Sequence, residues 1–232
     1  MKRILCLVIA LVLVFSLSAC GPGGRSPAEA YEKYTEMKSN AYGNISGKIA
    51  EHNELALSAG MAILPMAMVD LTLIPLTIIG EKGGGMALAF LGMGDIDVKQ
   101  KGNVYTITYN TSEDETITQI CEYDAATDSM KSTITNTEDS LTTLIFEYTK
   151  CGNGYVSQYA MKDGQGGDYT LTKMYFNEDG DITIGIETIS GSPDSIFKKT
   201  GLTADFARNG SSYFALEGGT LTVFGDGETK TY

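Results

Sequence analysis

The sequence predicts an α+β domain: a curved antiparallel β-sheet meander, half-barrel-like, with an N-terminal helix and apolar Met-rich helices packed on its concave face. Three observations predict it. From residue 96 onward, apolar stretches begin near Val104, Ile117, Met130, Leu141, Tyr155, Tyr169 and Ile182, at intervals of 11 to 14 residues. Turn-forming clusters separate them, among them Ser112-Glu113-Asp114, Gly152-Asn153-Gly154 and Asn177 to Gly180, and short alternating strands with such punctuation form an antiparallel meander. Strand by strand apolar residues alternate (Tyr105, Ile107, Tyr109; Leu144, Phe146, Tyr148; Ile182, Ile184, Ile186) and the opposite face carries mostly Thr, Ser, Glu and Lys, so one face is expected to be buried and the other wet. A long one-sided sheet needs an apolar layer on its buried face, and a twisted sheet of this size curls around it.

The elements follow in order. Lys2 and Arg3 precede an apolar run of 14 residues, Ile4 to Leu17, interrupted only by Ser16 and ending in Leu17-Ser18-Ala19-Cys20-Gly21. A basic start, a short apolar core and small residues before a cut make a secretory signal, and 14 residues fall short of the roughly 20 needed to span a bilayer. Residues 1–19 resemble a bacterial lipoprotein signal with its lipobox. That resemblance implies a diacylglycerol on the Cys20 sulfur, cleavage before Cys20, and a mature chain anchored at the extracytoplasmic face of the cell membrane. Residues 20–27 read as the lipidated cysteine and a Gly/Pro-rich tether, and residues 28–232 as one domain, helical and apolar over 28–95 and a β-meander over 96–232.

Ser26, Pro27 and Glu29 form the start signature of a helix, with Ser26 as cap, Pro27 at the first position and Glu29 in the capping box. Ala30, Tyr31, Tyr34 and Met37 recur at helical spacing, which predicts an amphipathic helix over 27–39. Residues 41–50 alternate loosely and read as a strand or an irregular continuation. Residues 55–79 are apolar save Asp70 and a few Ser and Thr. Their length permits a membrane helix, but Pro65 and Pro75 break it twice and Asp70 would sit near the bilayer centre. Broken helices or a buried hairpin inside the domain is the favoured reading, with a second membrane span as the alternative. A second apolar piece, Met86 to Met93, follows Gly83-Gly84-Gly85. Beyond the meander, a short helix is expected from Ser192 through Lys199, then final strands at 204–206, 213–216 and 221–224.

Composition limits the function classes. The chain carries 29 acidic and 17 basic residues, and removing Lys2 and Arg3 with the leader leaves a net charge of −14. A strongly acidic domain without a basic cluster is a poor partner for nucleic acid or anionic headgroups. Cys121 and Cys151 are expected as free thiols, because two strand spacings between them exceed the reach of a disulfide. His52, the only histidine, lies in Ala50-Glu51-His52-Asn53-Glu54 without soft ligands nearby and reads as a surface residue. Asn177-Glu178-Asp179-Gly180-Asp181 and Asp95-Ile96-Asp97 offer hard oxygen ligands but lack calcium-loop spacing. The expectation is therefore no catalytic residue, no metal and no cofactor.

A lipobox, an amphipathic helix near the mature N-terminus, a meander of long strands and a small late helix together resemble the LolA/LppX-like lipoprotein superfamily. The resemblance covers roughly residues 28–232 and implies an open half-barrel whose cavity takes acyl chains. Met61, Met66, Met68, Met86 and Met93, with Phe90, supply the flexible apolar side chains that such a site would use, or else form a soft core. The function expected is that of a membrane-anchored, non-enzymatic lipoprotein binding a lipid or other apolar ligand. The alternative is a cell-envelope interaction module that engages a protein through the exposed sheet face or edge, its apolar helices serving only as core.

Overall fold

The computed structural model describes residues 25–55, 66–67, 69–79, 96–110, 115–136, 141–162 and 167–232. Cys20, Met61, Met68, Met86, Phe90 and Met93 lie outside them. Helix α1 runs from Pro27 to Ala50. It starts as its sequence demands: the Glu29 N–H donates to Ser26 Oγ at 3.2 Å and the Ser26 N–H to Glu29 Oε2 at 2.8 Å. The helix is eleven residues longer than the expected 27–39. Gly43 and Gly47 weaken it, but Ala41, Ile45 and Ile49 continue the buried stripe begun by Ala30, Tyr31, Tyr34 and Lys38, and burial of that stripe overrides propensity.

Eleven antiparallel strands form one open sheet in which strand order equals chain order. They are β1 (Asp97–Lys101), β2 (Val104–Asn110), β3 (Thr116–Asp124), β4 (Ser129–Asn136), β5 (Leu141–Cys151), β6 (Gly154–Lys162), β7 (Asp168–Asn177), β8 (Ile182–Ser190), β9 (Ser212–Glu217), β10 (Thr220–Gly225) and β11 (Glu228–Thr231). Connections alternate between the two ends of such a sheet. Residues 102–103, 125–128, 152–153, 178–181 and 218–219 turn at the first end, and the connections after β2, β4, β6, β8 and β10 at the second. Strand β11 has no apolar alternation and escapes a periodicity reading. Its signal is the turn Asp226-Gly227, whose positive φ values of 53° and 78° suit a two-residue hairpin.

Two sequence expectations fail between β8 and β9. Residues 193–196 are irregular, with a turn at 197–198, and the short helix is α2 (Asp205–Arg208), where a strand was expected at 204–206. The cause is tertiary. Glu147, on the face of β5 turned away from α1, accepts the Ile196 N–H at 2.6 Å and Ser195 Oγ at 2.7 Å, so the backbone donor is satisfied by a strand residue rather than by a helical turn.

The same contacts correct the expectation of one wet face. On the outer face Val156, Gln158, Glu147, Thr149, Ser129 and Thr183 are buried. Gln158 Nε2 donates to Asp194 O and Thr149 Oγ1 to Lys199 O, tying the β8–β9 connection across this face. Gly185 lies under α2, where a Cβ would come within 1.8 Å of Ala207 O.

Of the apolar run, residues 66–67 and 69–72 are helical and Ile74–Ile78 form a 3-10 turn with Pro75 near its start. No helix among the described residues is long and apolar enough to cross a membrane. Cys121 is buried on the inner face, Cys151 ends β5, and both thiols are free.

Candidate functional site

The inner face of the sheet meets α1 through a layer of aromatic rings. Tyr34 stacks on Tyr148 with centroids 4.6 Å apart and meets Phe146, Tyr155 and Phe176 edge-on at 5.3 to 5.6 Å. Alternation on β5, β6 and β7 points these rings to one side, and the Tyr31–Tyr34–Lys38 spacing places α1 residues over them. Rings in offset and edge contact add to the area they bury.

A chain of polar groups runs through this layer. Lys38 Nζ donates to Tyr159 Oη at 3.1 Å, the Tyr159 and Tyr34 hydroxyls share a hydrogen bond of 3.0 Å, and Tyr34 Oη donates to Ser157 Oγ at 2.9 Å. At its outer end Lys38 pairs with Asp70, whose side chain is 39% exposed. Burial drives the Lys38 ammonium below the usual lysine range, and the Asp70 carboxylate pulls part of the way back. Burial raises the hydroxyls of Tyr34 and Tyr159 well above the usual tyrosine range. Tyr42 Oη donates to Met66 Sδ at 3.2 Å, a second tie between α1 and the apolar run. The arrangement straps that run to the helix through one ion pair and one hydroxyl–thioether contact. Met66, 2% exposed, is the only one of the six expected ligand-site residues within the described chain, and it belongs to the main core.

On the same inner face, β3 carries one residue out of pattern. Gln119 is fully buried between Ile107 on β2 and Ile134 on β4. Its Nε2 donates to Ser132 Oγ at 2.9 Å, while its Oε1 has no partner among the described residues. A buried acceptor left free costs about 1–3 kcal/mol.

A third constellation lies at the first end. Asp128 closes the β3–β4 turn at φ 46°, a left-handed conformation that aspartate tolerates better than most residues. Its carboxylate accepts Tyr155 Oη at 2.9 Å and Tyr123 Oη at 3.4 Å, and Arg25 Nη1 lies 3.7 Å away. Burial and the neighbouring Asp128 push the Tyr123 hydroxyl up to about 12. Two open clefts of about 480 and 510 Å³ share Arg25, Tyr123, Ala125 and Ala126; the first adds Lys150 and Gly152, the second Gly102 and Asn103.

Sequence reasoning misses Lys38 and Gln119 as site residues and reads Asp128 only as the end of the turn-forming cluster Asp124 to Asp128, yet the first two leave a signal. Lys38 is a charge on an apolar helical stripe, and Gln119 stands between Ile117 and Cys121 on alternate, inward positions. The other candidates resolve locally. His52 lies 4.8 Å from the Tyr232 ring and 3.9 Å from Glu54. Asn177 Oδ1 accepts the N–H groups of Asp179 and Asp181 at 3.0 Å each, and Asp181 Oδ1 accepts the Gly218 N–H, so this loop is a bonded turn. Among the described residues no three His, Cys, Asp or Glu side chains gather as a metal site needs. No family model, no curated protein and no solved structure matches the chain.

Proposed function

We propose that this chain is a lipoprotein, acylated at Cys20 and anchored at the outer face of the cell membrane, which holds an apolar ligand bearing one polar group against the inner face of its sheet. In this reading the sheet curls as a half-barrel and the apolar run with its methionines closes the other side. The observation that carries the proposal is Gln119: a fully buried amide, flanked by Ile107 and Ile134, with a free acceptor. An amphiphile with a hydroxyl or a protonated carboxyl would satisfy that oxygen while burying its chain, worth about 0.8 kcal/mol per CH₂.

The test is organic extraction and native mass spectrometry on a chain beginning at residue 21. The expected result is one lipid per chain, with Gln119→Leu lowering retention while raising the melting temperature of the empty protein. Recovery of no lipid, and no gain in melting temperature on adding fatty acids or phospholipids, would sink the proposal. That outcome favours the envelope interaction module, for which the filled ring layer between α1 and β5–β7 speaks.

A further inference from the structure

We propose that the β1–β6 side of the first end of the sheet rests on the surface of an anionic phospholipid bilayer, so that the domain stands with the second end pointing away. This rests on acylation of Cys20. Arg25 lies against the β3–β4 turn through Asp128, and five chain steps separate it from Cys20, a span of at most about 18 Å. The anchor therefore places this end, and not its opposite, within reach of the headgroups.

Charge follows the same axis. At the first end Arg25, Lys101 and Lys150 are all exposed: Arg25 lines both adjoining clefts, Lys150 lines the first, Lys101 ends β1 next to Gly102 of the second, and the exposed Ala125-Ala126 belongs to both. Lys101 and Lys150 have no ion-pair partner among the described residues. The local acids are engaged: Asp128 accepts two tyrosine hydroxyls and has Arg25 3.7 Å away, and Asp124 accepts the N–H and hydroxyl of Thr127 with Lys198 beside it. Lys101 and Lys150 are thus the cations left unpaired there among the described residues, with Arg25 shared between Asp128 and the surface. Glu178, Asp179 and Asp181 turn four strands further along, about 19 Å from the β3–β4 turn. The sequences joining β2 to β3, β4 to β5, β6 to β7 and β10 to β11, at the second end, carry seven acidic residues and no lysine or arginine. Of these acids Glu115 and Asp226 fall among the described residues, and on that side Lys162, which ends β6, is basic. The longer β8–β9 connection folds back over the outer face. A negative bilayer attracts the β1–β6 side of the first end more than the acidic β7–β8 turn or the second end, and each cation near such a surface contributes about 1 kcal/mol, roughly fivefold in the occupancy of that orientation.

The test uses the full acylated chain, with Cys151→Ser, in vesicles of phosphatidylglycerol and phosphatidylcholine carrying headgroup spin labels. A fluorophore is placed at Ala126→Cys or, near the second end, at Thr229→Cys. Quenching several-fold stronger at residue 126 is expected, and it should fall towards the value at 229 when Arg25, Lys101 and Lys150 are all changed to Glu, or when the vesicles hold phosphatidylcholine alone. Equal quenching at the two positions, or stronger quenching at 229, overturns the orientation. Intact mass of the purified chain reads acylation separately: a chain lacking the diacylglycerol removes the anchor and this proposal together, whereas an acylated chain with equal quenching removes the orientation only.

Discussion

At Glu147 one carboxylate, 1% exposed, holds the β8–β9 connection onto the outer face of the sheet. It accepts Gln158 Nε2, Ser195 Oγ and the Ile196 N–H, and Lys131 Nζ lies 3.2 Å away. Hydrogen bonds to a buried charge are worth more than neutral ones, because the charge cannot fall back on water. Glu147→Gln keeps the shape but loses the charge and turns one acceptor into a donor facing other donors. It should destabilise the fold by about 3 kcal/mol in a denaturant titration. A loss below a few tenths would mean that the connection is held by something else. Nothing in the local sequence marks Glu147: on alternation alone it belongs to the wet face, beside Thr149 and Ile145. Only the chain returning 49 residues later makes it a buried group.

At the scale of elements, the strap between α1 and the apolar run is the contact most open to dissection. Asp70→Asn leaves the Lys38 ammonium, 6% exposed, without its counter-charge and should cost about 2 kcal/mol. Lys38→Met combined with Asp70→Asn should recover most of that loss, since the apolar side chain of Met suits the site. A double variant no more stable than Asp70→Asn alone would refute the strap. The legibility of these elements divides by physical cause. Strands β2 to β8 start within about two residues of their sequence signals, because a half-buried strand is written locally as alternation closed by turn residues. The capping box at Ser26 is equally local. The end of α1 at Ala50, the loop at 192–199 and the placement of α2 depend on partners more than a hundred or several tens of residues away, and no window along the chain contains them. The candidate site was legible only as an apolar supply. Its polar members acquire meaning only from tertiary contacts: sheet register turns Gln119 inward, and the docking of α1 and the apolar run brings Lys38 to Asp70 and Tyr159.

For the molecule as a whole, a formal net charge of −12 reads as a domain held away from anionic lipid; in the proposed orientation its distribution along the strand axis counts for more than its sum. The tyrosines impose a second global property. Burial raises Tyr31, Tyr34, Tyr42, Tyr148, Tyr155 and Tyr159 above their ordinary value of 10.0, and Tyr123 to about 12. A folded-state value above the unfolded one means that the unfolded chain releases protons first. Stability is thus full below pH 10 and falls above it, by up to about 1.4 kcal/mol per pH unit for each fully buried phenol. Lys38, lowered by burial, acts in the opposite sense but is a single group. Phenolate absorbance and loss of circular dichroism should therefore rise together in one steep transition above pH 10. Phenolate absorbance climbing gradually while the dichroism stays intact would contradict the buried ring layer. The meander itself carries one more consequence, for the order in which entropy is lost. Every strand pairs with its neighbour in the chain, so the longest loop closed within the sheet is the connection 191–211. The contacts of Tyr34 and Lys38 with Ser157 and Tyr159 span 121 to 125 residues. Loop-closure entropy grows with loop length, so the sheet assembles from sequence-local steps and the non-local part of folding falls on two events. One is the return of the β8–β9 connection over the outer face, with contacts 49 and 76 residues apart, and the other is the docking of α1, the longer closure.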